Sequence, residues 1–259
     1  MMPLPKFAAA LLCAIAVCLA QPARAESYRA EYEAAVLGAV VLGRATIAGA
    51  SANGRYQSTA TLRTSGLAAL IDQTNITASA TGLITPRGIA WTGYNLSHAY
   101  ARKFRRVVMR RAGGGIQTTI TPRFGDMGDP PATRAQQTGA YDPVSALFVL
   151  GRLVGQNRTC TGTVRVFDGR QLYRLSLLPR AVGTFRGGGY AGPAVSCTMR
   201  YTPMAGFRMS AAERARIPAA TAWFTRPARV GQTALPLRVT VPTPVGAAQL
   251  EIRSFRYTP

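Results

Sequence analysis

From residue 28 onward, apolar and polar positions alternate in short stretches divided by turn residues, the period of two that lines one face of a β-strand. Tyr28–Leu37 and Val40–Ala50 flank Gly38 and read as a hairpin or one bent strand. Asn53-Gly54 is a strong two-residue hairpin signal ahead of Arg55–Ser65. Asn75–Ile84 and Gly88–Ala99 are divided by the turn composition Thr85-Pro86-Arg87-Gly88, and Arg102–Ala112 and Ile116–Pro122 by Gly113-Gly114-Gly115. In the second half, Thr161–Phe167 and Arg170–Leu178 flank Asp168-Gly169, which matches a type I′ turn. Pro193–Tyr201, Ala219–Phe224, Leu235–Val241 and Gly246–Tyr257 follow. Strands at this spacing predict an antiparallel sandwich or barrel.

The alternation breaks in two places. Residues 124–138 (FGDMGDPPATRAQQT) are polar and rich in Gly and Pro, and read as a long surface loop. The loop hands over to the best helix signal in the chain: Asp142 as N-cap, Pro143 in the first helical position, Val144, Leu147, Phe148 and Val154 at helical spacing, and Gly155 as the stop. A shorter helix is predicted from Ser210, where Ser210-x-x-Glu213 has capping-box spacing, to Pro218. No internal repeat is evident, and both sides of the loop are antiparallel-β in character. The expectation is therefore one continuous β domain over residues 26–259 with an inserted helix.

The first residues belong to a different pattern. Lys6 precedes Phe7–Ala20, an uncharged apolar run too short to span a bilayer as a helix of about 20 residues. Ala23-Arg24-Ala25 fits a small-x-small cleavage rule, so residues 1–25 read as a secretory signal peptide, with a retained anchor as the alternative. Cys13 and Cys18 follow Leu12 and Val17 rather than a small residue, which argues against a lipoprotein site. Export leaves Cys160 and Cys197 as the only cysteines, and a lone pair in an exported chain predicts a disulfide. A reactive or metal-binding pair would lack CxxC spacing.

Charge changes the picture only after export is considered. The chain carries 31 Lys+Arg against 10 Asp+Glu, a balance of +21, and only Lys6 and Lys103 are lysines. Removal of the leader takes Lys6 and Arg24 and leaves +19. Such an excess suits anionic partners, but a periplasmic location argues against nucleic acid. The dense segment is Ala101–Arg111, with Arg102, Lys103, Arg105, Arg106, Arg110 and Arg111. Guanidinium forks match phosphate and carboxylate oxygens in pairs, so this strand could meet lipid head groups, lipopolysaccharide phosphates or peptidoglycan carboxylates. The alternative is a solvated strand in an arginine-biased composition. A transmembrane β-barrel is not expected, because 101–111 breaks the alternation on both faces and lipid-facing Arg would cost about 2–4 kcal/mol each at mid-depth.

Chemistry has few candidates. His98 is the only histidine, which excludes multi-histidine metal sites, and no Gly-x-Ser-x-Gly elbow occurs. A structural histidine is the simpler reading. Glu31 and Glu33 share one strand face, where an Arg-paired surface is the ordinary outcome. Gly113–Gly115 and Gly187–Gly189 lack the Lys-Ser/Thr of a P-loop and read as turns. No cofactor or metal is implied.

Asp142-Pro143-Val144-Ser145-Ala146-Leu147, Val166-Phe167-Asp168-Gly169-Arg170 with Tyr173, Tyr190-x-Gly192-Pro193-Ala194 before Cys197, and Tyr201-x-Pro203 with Gly206-Phe207 together resemble the exported bacterial family called domain of unknown function 3108. Trp223, Leu235–Val239, Thr243 and Gly246 are similar to its closing strands, and the likeness spans nearly the whole mature chain. The resemblance implies a periplasmic, all-β dominated protein with a minor helix. It also implies a curved antiparallel sheet or half-open β-barrel wrapped around that helix, similar to lipoprotein carriers of the LolA type. It brings no catalytic residue with it. The expectation is a monomeric, non-catalytic protein that binds an amphiphilic or lipid-like envelope ligand or an envelope partner. Arg102, Arg105, Arg106, Arg110, Val144, Leu147 and Phe148 are its candidate ligand contacts, the last three being core residues or the cavity floor. The alternatives are a structural envelope protein using its Arg-rich surface, and a hydrolase built around His98 and an acid.

Overall fold

The computed structural model describes residues 25–258 except 67, 68, 70–72, 102 and 245. The expected leader, apart from Ala25, and Arg102 therefore lie outside the described residues.

Seven strands run as one meander: β1 (Glu26–Val36), β2 (Val40–Ala52), β3 (Arg55–Thr64), β4 (Thr74–Thr85), β5 (Gly88–Tyr100), β6 (Lys103–Ala112) and β7 (Gly115–Thr121). After α1 (Arg134–Gln137) and α2 (Pro143–Asn157), a second meander contains β8 (Gly162–Phe167), β9 (Leu172–Gly187) and β10 (Tyr190–Ala205). It continues through α3 (Ala211–Ala215), β11 (Ala220–Thr225), β12 (Pro236–Thr243) and β13 (Gly246–Thr258). The meanders join through their outermost strands in sequence, β1 against β13, from Ser27↔Thr258 to Val36↔Ala248. One open antiparallel sheet results, ordered β7-β6-β5-β4-β3-β2-β1-β13-β12-β11-β10-β9-β8, with β7 and β8 at its edges. Helix α2 touches β3, β4 and β5 as well as β8, which the flat strand order would hold far apart, so the sheet curls around the helix. This is the all-β, half-open barrel architecture expected from the sequence.

Helix α2 is buried along most of its length. Val144 and Phe148 pack into a cluster with Tyr28, Tyr32, Tyr56, Trp91, Tyr94 and Met109, and the Tyr56 and Phe148 rings stack at 4.5 Å. Ala146, Val149, Leu150 and Val154 meet Val164, Val166, Leu177, Val195, Ala222 and Phe224 of the second meander. The N-cap forms as the sequence predicts: Asp142 Oδ1 accepts from the Val144 and Ser145 amides at 3.0 and 2.8 Å. Ser145 Oγ also donates to Asp142, and the Tyr56 hydroxyl lies 2.7 Å from that Oγ. With the serine proton committed to the carboxylate, Tyr56 is left as donor to Ser145. Trp91 Nε1 donates to the Ala140 carbonyl at 2.8 Å and ties the entry of the helix to β5. At the exit, a Cys160–Cys197 disulfide joins the segment after α2 to β10. Closing this 37-residue separation contributes about 4 kcal/mol on a chain-entropy account.

Three expectations need correction. Asn53 and Gly54 both take positive φ, as a type I′ turn requires, but at 168–169 only Gly169 does. The β8–β9 connection is a four-residue turn in which Asp168 Oδ1 accepts from the amides of Arg170 and Gln171, at 2.9 and 2.7 Å. Strand β9 runs to Gly187 rather than Leu178, because β10 pairs with it as far as Gly187, although β8 pairs only with residues 172–177. The rest of β9 is a free edge with both faces exposed up to Thr184, so no burial pattern marks it in the sequence. Gly155 does not stop α2; Arg158 does, in a left-handed conformation. Gly151 and Gly155 instead let residues 231–234 lie against the helix, with Ala234 N donating to Gly151 O at 2.9 Å.

Two stability measurements check this packing. A Cβ at Gly155 would sit 1.8 Å from the Gln232 carbonyl oxygen. Gly155→Ala should therefore destabilise by about 1–3 kcal/mol in urea denaturation, although helix propensity alone would stabilise by about 1 kcal/mol. Burial pushes the Asp142 carboxyl up to about 6, against the hydrogen bonds from Ser145 and Val144. A raised carboxyl pKa means that the folded state holds the proton longer, so this contribution is complete at low pH and is lost as pH rises from 4 through 6. Asp142→Asn keeps an N-cap acceptor but cannot ionise. Wild-type stability relative to the variant should fall by roughly 3 kcal/mol between pH 4 and 7.5, and a constant difference would contradict the assignment.

Candidate functional site

The site lies at the seam between the two sheet edges. Alternation along β5 turns Leu96, His98 and Tyr100 inward, and cross-strand pairing sets Val107 opposite Leu96 and Arg105 opposite His98 on β6. The β8–β9 turn leans onto this surface: a Cβ at Gly169 would be 2.8 Å from Val107 Cγ1 and 3.4 Å from Thr118 Cγ2. Only glycine fits there, at φ 104°. The turn supplies Asp168, Arg170 and Gln171, and Phe124 reaches in from the loop that follows β7. Together these residues line a half-open cavity of about 320 Å³.

That loop is tied to the β8–β9 turn and to the segment after β10. Asp129 N donates to Phe207 O at 3.1 Å, and Gly206 N donates to Pro130 O at 2.8 Å. Asp126 Oδ2 receives Arg170 Nη2 and Arg208 Nε, each at 2.8 Å, while Asp126 Oδ1 accepts the Gly128 amide at 3.0 Å. The Gly128 amide, then Arg208 and Arg170, hold the Asp126 carboxyl below the usual carboxylate range. Burial acts the other way on Asp168 and pushes its carboxyl up, despite the Gln171 and Arg170 amides.

Phe124 organises the cations. The Arg105 guanidinium carbon lies 3.7 Å from its ring centroid, and that of Arg170 lies 5.2 Å from the same centroid. Arg105 Nη1 and Arg170 Nε are both enclosed by protein without an acceptor. None of the six ion pairs among the described residues involves Arg105.

The pleat divides the arginine-rich strand. Arg105 points into the seam; Arg106 and Arg110 are exposed and in the opposite phase. Arg111 shares the inner phase, with its guanidinium 5.7 Å from the Trp91 ring. Val144 and Phe148 are buried beneath the sheet and Leu147 is 43% exposed, and none of the three lines the seam cavity. His98 does line it, its ring 4.5 Å from that of Tyr100, as does Asp168. The lining holds no serine, threonine or cysteine. Glu31 and Glu33 lie on the outer face of β1, paired with Arg29 at 3.5 Å and Arg253 at 2.6 Å. Among the described residues, no three His, Cys, Asp or Glu side chains gather as a metal site, and no helix is long and apolar enough to cross a membrane.

Sequence reasoning passed over Phe124, Arg170, Leu96 and Val107. A solitary aromatic opening a Gly/Pro-rich loop was the available sign for Phe124. Arg170 looked like part of a hairpin, since nothing local shows that its turn folds onto β6.

The fold has a solved counterpart. A β-barrel-like protein of domain of unknown function DUF1849 from Brucella abortus matches with a TM-score of 0.54 at 10% identity, covering 90% of this chain and 98% of that one. At that identity the likeness shows the fold alone. A protein with YmcC-like fold from Bacteroides fragilis gives a TM-score of 0.31 at 8% identity, over 90% of this chain and 95% of its own. No curated protein matches the chain. The model of the family described as protein of unknown function DUF3108 matches residues 27–253, so the chain belongs to that family.

Proposed function

We propose that this is a periplasmic, non-catalytic binding protein that holds an amphiphilic envelope molecule in the seam cavity. The observation that carries the reading is the mixed lining of one half-open cavity: Leu96, Val107, Tyr100 and Phe124 supply apolar walls, and Arg105 and Arg170 supply charge. Small-molecule sites are commonly concave and largely apolar with a few convergent polar groups, and a volume near 320 Å³ lies at the small end of their range. The interior beneath is filled by α2 and the tyrosine cluster, so the cavity lies at the seam and not in the centre of the fold. The signal-like leader and the Cys160–Cys197 bridge support export to an oxidising compartment. A surface role has its own support in Arg106 and Arg110, which are exposed and could meet anionic polymer or membrane.

Purification from the native periplasm, followed by mass spectrometry of the intact complex, tests the reading. One equivalent of an amphiphile should travel with the wild-type protein. Leu96→Trp, which fills the cavity from its half-buried wall, should carry less than a tenth of it. A wild-type protein without a bound amphiphile, or a variant that carries as much, would refute the proposal.

A further inference from the structure

We infer that the seam cavity selects an amphiphile with a single chain and one anionic head, a carboxylate or a phosphate, and that Arg105 with Arg170 forms its head-group site; this deepens the binding role proposed above and rests on it.

Donor satisfaction is the first argument. Guanidinium N–H groups are donors only, and leaving a charged donor buried without an acceptor costs more than about 1–3 kcal/mol. Two such atoms, Arg105 Nη1 and Arg170 Nε, belong to neighbouring residues of one cavity. Both side chains share the Phe124 ring, and a guanidinium held by an aromatic face keeps its N–H edge free for planar oxygen acceptors.

Charge gives the second. Arg105, Arg170 and Arg208 stand against Asp126 and Asp168 around the seam. Asp126 is engaged by Arg170 and Arg208, and Asp168 Oδ1 by two backbone amides of its own turn. Three cations against two anions leave one positive charge, that of Arg105, without a protein counter-ion. An anionic head completes the set, whereas a cation would not.

Size and wall chemistry give the third. About 320 Å³ lined by Leu96, Val107 and Tyr100 accepts one short acyl chain and excludes a diacyl lipid. Carboxylate and phosphate heads share the oxygen geometry that a guanidinium fork recognises, so the test separates these two sources.

The experiment is calorimetric titration of the purified protein with decanoate, decyl phosphate, decanol and decyltrimethylammonium below their aggregation limits. At least one of the two anions should bind more than tenfold tighter than decanol, the tighter one naming the head group, and the cation should not bind. Arg105→Met should lower anion affinity at least tenfold and leave decanol unchanged, and Arg105→Lys should retain part of it. Arg106→Met removes the same charge from the outer face and should alter anion affinity by less than twofold. Decanol within threefold of both anions, or equal losses in Arg106→Met and Arg105→Met, would overturn the head-group assignment while leaving amphiphile binding in place. Failure of all four ligands to bind wild-type protein would overturn the binding role itself. Should Arg105→Met not fold, the wild-type ligand series and Arg105→Lys decide the question.

Discussion

A long antiparallel sheet that curls on itself creates a concave apolar lining, and water cannot be left against it. Here one helix covers that lining, and its position depends on how a buried carboxylate is satisfied. Asp142 takes the first two free amides of α2 and the Ser145 hydroxyl, and Ser145 in turn receives Tyr56 from β3. A charge excluded from water is tolerated only when its acceptor sites are filled. The same bonds that cap the helix therefore tie it to the first meander, while the Cys160–Cys197 bridge ties its exit to the second.

With the interior filled this way, the remaining freedom is at the edges. β7 and β8 do not pair with each other; the chain leaving β7 runs as a loop to α1 and α2, and its Tyr141 makes a single parallel bridge to Val166 of β8. A free seam exposes unpaired backbone groups, and the loop deals with it locally. Its backbone bonds to residues 206 and 207, its Asp126 engages two arginines, and its Phe124 lies against two guanidiniums. Closure is incomplete beside β5 and β6, and the cavity is what remains. Arg170 thus both anchors the loop through Asp126 and lines the cavity.

Much of the architecture was legible because alternation and turn chemistry are local. Asn53-Gly54 reads as a type I′ turn wherever it occurs between strands, and Asp142-Pro143 opens a helix for reasons contained in the two residues. What stayed hidden depends on contacts between distant segments. Gly155 looks like a helix stop until residues 231–234 are seen lying on it. The outer half of β9 shows no pattern because its edge has no partner. The arginine-rich strand was visible as composition, but only the pleat shows that Arg105 and Arg106 serve opposite faces. Phe124, Arg170 and Asp168 come from two connections whose meeting no sequence spacing records.

A ligand held in the seam between the sheet edges, with Arg105 at its polar end, can be located directly. The most direct measurement is a crystal structure of the protein grown with 10-bromodecanoate, with the bromine located by anomalous scattering. A single bromine peak is expected within the space bounded by Leu96, Tyr100 and Val107, with the carboxylate within hydrogen-bonding distance of Arg105. A bromine bound elsewhere on the sheet, with the seam empty, would contradict it.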